Sequence, residues 1–370
     1  MGLLQNKPIV FLSAFFFSVT LIVSRIIPEH SIGFIFGSQA LAHLLPPVAI
    51  YALLTPWGMW IAALYVFWVG LHVPWQSINL MRTKLYVTAL FLLVLSIVIG
   101  GAVVGILFAC GLKHDAIIVG ALLLLSFVVS TTVVDRFARV AHGPLAMAAQ
   151  GLSAILTLAV VVCLISMTVH SLQQVGLACL LAIGVALVWR VILDFRVTVR
   201  ESLVSKLLLL LLSAGLVSIF TVPVLVYALV LGLAVALLSP RDVPHCFSPE
   251  LYRSLHILTM LFVAAWGTYT QEVLLITAGY IVWRQIIVRV LAGVAANWAR
   301  CNDTVIWNIG STLLVQDAFI VLVVLLLSQS LKLPGLNVAL SSYVLAIAIE
   351  RIWYGIIVGQ AYRRSGELNT

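Results

Sequence analysis

Residues Leu85–Leu112, LYVTALFLLVLSIVIGGAVVGILFACGL, form a long run without a charged side chain. A second such run, Ala116–Val134 (AIIVGALLLLSFVVSTTVV), follows almost at once. Neither run alternates strictly between apolar and polar residues, as the strands of a membrane β-barrel do. Each is long enough to cross a hydrocarbon core of about 30 Å as an α-helix. These two runs therefore predict membrane-spanning helices.

The composition of the whole chain agrees with this interpretation. Apolar residues make up 63% of the chain and charged residues 9%, whereas about a quarter of the residues in a soluble domain are charged. A chain with so little polar surface needs hydrocarbon as its solvent, and there the backbone must satisfy its own hydrogen bonds. We therefore predict an all-α polytopic membrane protein in the lipid bilayer.

The apolar pattern divides the chain into about thirteen transmembrane helices. Two of the boundaries depend on a proline: one lies near Thr55-Pro56, and the other near Phe220, just before Pro223. The predicted spans are about 8–27, 32–54, 56–75, 84–112, 115–138, 142–169, 172–193, 203–219, 221–239, 252–270, 272–297, 304–330 and 336–361.

The basic residues orient these spans. With thirteen helices, most Lys and Arg residues outside the spans fall on one side, and Lys7, Lys113 and Lys332 on the other. Because basic loops stay in the cytoplasm, the N-terminus is predicted outside and the C-terminal tail, 362–370, inside the cell. The same bias explains the net charge of +8 without nucleic acid. A bacterial inner membrane suits such a chain.

Two short segments indicate an internal repeat. Ser130-Thr131 precedes Asp135 in the fifth span, and Ser311-Thr312 precedes Asp317 in the twelfth. We predict one transmembrane domain, 1–361, built from two inverted six-helix repeats that a linker helix joins. Because small hydroxylated residues let a helix break inside a membrane, the fifth and twelfth helices are predicted to be broken and to cross. The predicted repeats cover about 8–169 and about 203–361, with the linker at about 172–193.

Four motifs resemble those of the monovalent cation:proton antiporter superfamily, especially its Kef-like branch, and the likeness extends over roughly residues 10–360. The resemblance implies a secondary transporter that exchanges Na⁺ or K⁺ for H⁺, often as a homodimer. The motifs are Phe67–His72 (FWVGLH), Val129–Val134 (VSTTVV), His142–Ala146 (HGPLA) and Val315–Phe319 (VQDAF).

The ion site of the resembled family is altered in this chain. The family places an acid in the sixth span where this chain has Ser153-Ala154, and His72 replaces a glutamate of the third span. The family's basic residue in the eleventh span is matched by Arg284. The resemblance thus implies an ion site that has lost its usual carboxylate.

Arg284 stands out without the resemblance, because a charge in the middle of an apolar span is costly and marks a functional site by default. Its predicted partner is Asp317, either as a titrating carboxylate or as one half of a static ion pair that fixes helix packing. Glu350, followed by Arg351, is a second site of interest. The remaining candidates are the crossover residues Ser130, Thr131, Ser311 and Thr312, and His72 as a packing residue or proton relay.

Three functional hypotheses follow from these residues. The first is exchange of a monovalent cation for protons, or the same fold carrying another substrate such as an anion. The second is a non-transporting subunit or scaffold in a membrane complex. The third, a membrane enzyme, is disfavoured because the sequence holds no nucleophile constellation and no His/Glu metal cluster. No cofactor or metal is expected, and the five cysteines lack metal-binding spacing.

Overall fold

The computed structural model describes residues 47–73, 82–129, 134, 143–166, 171–194, 209, 212–238, 259, 270–317, 319–321, 323–324 and 335–367. All regular secondary structure in these residues is helical. The principal helices are α1 (Pro47–Leu71), α2 (Arg82–Ala109), α3 (Lys113–Leu125), α4 (Pro144–Ser166), α5 (Leu172–Asp194), α6 (Val224–Leu238), α7 (Gln271–Trp298), α8 (Asp303–Thr312) and α9 (Leu336–Arg364).

The apolar helices place the protein in a membrane. Within the described residues, α2, α4, α5 and α7 are long and apolar enough to cross a bilayer. The two halves of α9, which meet at an angle of 59°, add a fifth span if they are counted together. On α2 the side chains of Leu90, Ile97 and Val98 are exposed, as expected for a helix that faces lipid. The chain is an α-helical integral membrane protein, and the total of thirteen spans stays a prediction.

One of the two proline-dependent boundaries is present in the structure. Residues 212–220 are helical, the chain leaves the helix at Thr221, and α6 begins after Pro223. Thr221 has a φ of 50°, in the left-handed region. Because proline lacks a backbone N–H and restricts the residue before it, a helix is readily interrupted here.

The other boundary is a correction to the sequence analysis. The backbone is helical without interruption from Pro47 to Leu71, through Thr55 and Pro56, where a split was predicted. A proline inside a membrane helix is tolerated when neighbouring groups satisfy the backbone carbonyl that it leaves free. The sequence shows the proline but not those neighbours.

Both helices that were predicted to be broken are interrupted in the structure. α3 ends at Leu125, residues 126–127 form a turn and residues 128–129 have no regular secondary structure, and helix is present again at Val134. α8 ends at Thr312, residues 313–317 are not helical, and helix resumes at Phe319. The inverted relation of the two repeats stays a prediction.

The described helices pack as two groups. α6 lies between α1 and α5, and these three helices form the smaller group. α7 packs against α2, α8 and α9 in the larger group, which also contains α3 and α4. A contact between α1 and α4 joins the groups. Both helix interruptions lie in the larger group.

Two glycines bring α1 and α6 together. A Cβ atom at Gly70 would lie 2.7 Å from the carbonyl oxygen of Leu229, and a Cβ atom at Gly232 would overlap the carbonyl oxygen of Phe67. Small residues allow such close backbone approach between membrane helices. Gly70 belongs to the FWVGLH motif, so helix packing accounts for its presence.

We predict that Gly232→Ala lowers the free energy of unfolding by about 1–3 kcal/mol, because the added methyl group pushes α1 and α6 apart. Gly184→Ala in α5 is the matched control, since a Cβ atom there meets no atom within 4 Å. The control should be neutral or slightly stabilising because alanine favours helix over glycine. Thermal melting in detergent measures both, and equal melting temperatures would contradict the close approach.

Candidate functional site

α7 carries Arg284 on its packed face. The helix begins after Thr270, whose hydroxyl accepts a hydrogen bond from the Val273 N–H at 3.4 Å. Its buried positions include Val273, Thr277, Tyr280 and Arg284, which follow the helical spacing of three and four residues. The Arg284 side chain is therefore directed into the protein, and the residue is 0% exposed.

The Arg284 guanidinium binds backbone carbonyls at both helix interruptions. Its Nε donates to the carbonyl oxygen of Ser126, directly after α3, at 3.3 Å. Its Nη2 donates to the carbonyl oxygen of Leu313, directly after α8, at 3.2 Å, and its Nη1 donates to that of Leu314. The last carbonyls of a helix lack intrahelical donors and carry partial negative charge. The Arg284 guanidinium thus donates hydrogen bonds to backbone carbonyls at the ends of both α3 and α8.

Glu350 of α9 neutralises this cation. Its Oε2 accepts a hydrogen bond from Arg284 Nη1 at 2.9 Å, and both side chains are buried. This finding corrects the predicted partner of Arg284, which was Asp317. A buried charge must be paired, and here the pairing carboxylate comes from α9, two helices further along the chain.

Asp317 caps the helix that resumes after the second interruption. Its Oδ1 accepts a hydrogen bond from the Phe319 N–H at 3.2 Å, where the helix resumes after the second interruption. A carboxylate that accepts from the N–H two residues later caps a helix N-terminus, and it also complements the partial positive charge there. The Asp317 carbonyl oxygen accepts from the Tyr343 hydroxyl at 3.0 Å. A sequence with one mid-span aspartate does not distinguish this cap from an ion pair.

Buried polar groups surround the Arg284–Glu350 pair. Gln316 Nε2 donates to the Tyr280 hydroxyl oxygen, one helical turn from Arg284, and the rings of Tyr280 and Tyr343 lie 6.2 Å apart. Within the described residues, Gln316 Oε1 and Glu350 Oε1 are buried without a hydrogen-bond partner. A buried acceptor without a donor is costly, so these oxygens favour a proton donor or a cation beside them.

Thr157 of α4 supports the first interruption. Its Oγ1 donates to the carbonyl oxygen of Val129 at 2.8 Å and accepts from the Val129 N–H at 3.1 Å. One hydroxyl therefore satisfies both backbone groups of a residue outside regular secondary structure. Ser153 and Ala154, which stand where the resembled family has its acid, are buried in the same helix. The support that α4 gives to the first interruption is therefore the Thr157 hydroxyl.

The other residues that were predicted for the ion site lie at several different places in the chain. Ser130 and Thr131 lie outside the described residues. Ser311 is half-buried in the last turn of α8, and the buried Thr312 hydroxyl donates to the Ile309 carbonyl at 2.7 Å. His72 stacks on Trp68 at 4.2 Å between ring centroids, and its Nδ1 lies 3.1 Å from the Trp68 carbonyl. These contacts of Thr312 and His72 are local to their own helices.

Sequence reasoning missed Thr157, Gln316, Tyr280 and Tyr343. Each is a polar or amphipathic residue inside an apolar span, where a hydrogen-bond partner is required. That signal was available, but it also fits a hydroxyl that bonds within its own helix, as Thr312 does. Only the packing of α4, α7 and α9 shows whether such a side chain bonds within its own helix or to another part of the protein.

We predict that the double variant Arg284→Leu/Glu350→Leu remains less stable than the wild type by at least about 2 kcal/mol. Replacing a buried ion pair by apolar residues is often neutral, but here the carbonyls of both interruptions also lose their donor, at about 1–3 kcal/mol for each unsatisfied group. Arg289→Leu, which changes an exposed arginine on the same helix, is the control. Unfolding in detergent measures the difference, and a fully stable double variant would argue against the bridging role of Arg284.

We further predict that Thr157→Val destabilises the protein by about 1–3 kcal/mol, because both backbone groups of Val129 lose their partner. Thr157→Ser keeps the hydroxyl and should retain most of the stability. The same unfolding measurement applies. A loss in Thr157→Ser that exceeds the loss in Thr157→Val would show that the methyl group of Thr157, rather than its hydroxyl, matters.

A scan of the chain against protein-family models gives no match, and a search of curated proteins gives none either. Solved structures do match. The chain is similar to the sodium proton antiporter MjNhaP1 from Methanocaldococcus jannaschii, with a TM-score of 0.62 and 14% sequence identity. The match covers 96% of this chain and 99% of that one. The chain therefore shares the fold of this solved structure.

Proposed function

We propose that the protein is a secondary transporter that exchanges a monovalent cation, Na⁺ or K⁺, for protons by alternating access. The observation that carries this proposal is the buried Arg284–Glu350 pair at the ends of two interrupted helices. Interrupted helices inside a membrane are typical of ion and substrate sites in transporters. Ionisable residues inside a membrane are costly, and they mark a functional site by default.

Glu350 is the exchangeable carboxylate in this mechanism. One of its oxygens pairs with Arg284, and the other is buried without a hydrogen-bond partner among the described residues. A proton or a dehydrated cation can neutralise the carboxylate, but both cannot do so together. Arg284 competes with either one, so cation binding releases a proton and proton binding releases the cation. The Gln316 amide oxygen supplies a further acceptor in the same cluster.

The helix packing supports alternating access. The site lies in the larger group of helices, and α1, α5 and α6 form the smaller group. Transporters with inverted repeats expose one site to alternate sides by moving one helix bundle against the other. The fold of MjNhaP1, a sodium proton antiporter, suits this function. The Kef-like relationship, use of potassium, a homodimer, an outside N-terminus and a bacterial inner membrane are parts of the same proposal.

A cavity supports access to this group of helices from one end. It has a volume of about 90 Å³ and lies between α2, α4, α7 and α8. Lys84, whose ammonium donates to the Arg300 carbonyl at 2.8 Å, lines it together with Thr88 and Cys301. Ile309, one turn before the end of α8, lines it as well. The cavity thus lies beside the starts of α2, α4 and α8, and neither Arg284 nor Glu350 lines it.

The second candidate is a non-transporting subunit or scaffold of a membrane complex. The observation that favours it is the absence of any acid in α4, whose buried Ser153 and Ala154 occupy the place of the family's carboxylate. An anion transporter has less support, since the Nε, Nη1 and Nη2 of Arg284 all donate to protein oxygens. Catalytic activity is not part of either proposal.

We predict that purified protein in liposomes with a pH-sensitive dye collapses an imposed proton gradient when Na⁺ or K⁺ is added. Glu350→Gln should abolish this exchange, because a neutral amide cannot trade a proton for a cation. Asp317→Asn is the comparison variant: asparagine caps a helix as well as aspartate does, so retained exchange in this variant would assign the titrating role to Glu350.

The outcomes separate the hypotheses. Loss of exchange in Asp317→Asn with retention in Glu350→Gln would transfer the role to Asp317, as the sequence suggests. No response of folded wild-type protein to Na⁺, K⁺ or Li⁺ would favour the scaffold. Folding is checked in each case by a monodisperse profile in detergent.

A further inference from the structure

The start of α4 lacks a capping side chain of its own. Gly143 occupies the N-cap position, since its carbonyl accepts the first intrahelical bond from the Met147 N–H at 3.1 Å. Pro144 follows, and a proline in the first helical position has no N–H to satisfy. The next two N–H groups, of Leu145 and Ala146, are those that an N-cap side chain normally binds. Glycine has no side chain with which to bind them.

Glu367 supplies this cap from the other end of the chain. Its Oε1 accepts from the Leu145 N–H at 2.6 Å, and its Oε2 accepts from the Ala146 N–H at 3.1 Å. The carboxylate thus bridges two consecutive amides at the positive end of the α4 dipole. These contacts span 222 and 221 residues of sequence.

The end of α9 is shaped to present Glu367. The Glu367 N–H donates to the Tyr362 carbonyl at 3.0 Å, and the Gly366 N–H donates to the Arg363 carbonyl at 3.0 Å. These two bonds form a Schellman motif, which requires a left-handed residue, and Gly366 has a φ of 74°. The motif turns the chain sharply, so that the residue after Gly366 lies against α4.

Gly143 also makes room for this contact. A Cβ atom at position 143 would overlap the Cγ, Cδ and Oε1 atoms of Glu367. A serine or aspartate there would cap α4 locally, but it would displace Glu367. The glycine therefore excludes the ordinary cap and admits the distant one.

We infer that Glu367 is a latch that couples the end of α9 to the start of α4, and that opening it slows the transport cycle. α4 holds the first interruption through Thr157, and α9 holds Arg284 through Glu350. With the latch closed, both supports of the site move as one unit. With it open, each helix retains its contact at the site, but their ends shift independently. The effect on transport rests on the proposed function, whereas the contact itself does not.

The test uses full-length protein and three variants. Glu367→Ala removes the latch and the cap. Gly143→Ser removes the latch but restores a local cap, because serine is among the best N-cap residues. Asp303→Ala, which removes an exposed acid from the first turn of α8, is the control. Hydrogen exchange is followed at the start of α4 and at the end of α9, and transport is followed in liposomes.

We expect Glu367→Ala to lower exchange protection at the start of α4 by about 2- to 30-fold, as expected for the loss of a cap. Gly143→Ser should keep that protection and lose protection at the end of α9. Both variants should slow transport by about fivefold or more, the lower range of ordinary coupling between sites. Asp303→Ala should match the wild type in every measurement.

Three outcomes would overturn the inference. Unchanged protection at α4 in Glu367→Ala would show that the contact does not form in the membrane protein. Unchanged protection at the end of α9 in Gly143→Ser would show that no latch has opened. If Gly143→Ser transports at the wild-type rate, Glu367 acts only as a helix cap and does not affect the transport cycle. If the wild type itself does not transport, the proposed function fails, but the exchange measurements still decide whether the latch exists.

Discussion

The structure depends on one requirement: a polypeptide that leaves helical geometry inside hydrocarbon must find donors for its free carbonyls. Two helices end within the larger group, and the guanidinium of Arg284 donates to the carbonyl that follows each of them. Arginine suits this task because its planar fork carries several donors and keeps its charge in proteins. The positive charge in turn requires a carboxylate, which Glu350 of α9 supplies. The placement of α3, α7, α8 and α9 around one point follows from these two needs.

The same principle applies to the first interruption, which α4 supports without a charged side chain. Thr157 satisfies the backbone of Val129, so the first interruption persists with no charge in α4. The negative charge comes from Glu350 in α9, a helix that packs against both α7 and α8. The charge of Arg284 is therefore balanced within the same group of helices.

The sequence predicts the helical membrane class and both interruptions. Long apolar runs predict spanning helices, and pairs of hydroxyl residues predict where a helix can break, because both patterns depend on the local backbone. It also identifies Arg284, because a charge in an apolar span is conspicuous wherever it packs. It does not identify the partner: Glu350 and Asp317 are both mid-span acids, and one of them caps a helix while the other pairs. It likewise misses Glu367, whose role arises only when a glycine more than two hundred residues earlier lies beside it. The continuous helix through Pro56 shows the same limit, because tolerance of a proline depends on neighbours.

The bond between Arg284 and Ser126 has a consequence for biosynthesis. The two residues are 158 positions apart, and a ribosome adds about 5–20 residues each second. The first interruption therefore enters the translocon and the lipid many seconds before its donor has been translated. During that interval its carbonyl has to rely on water or on other backbone groups. Maturation of the nascent chain is thus a late event, completed only when Arg284 in the second half of the protein binds the Ser126 carbonyl of the first half.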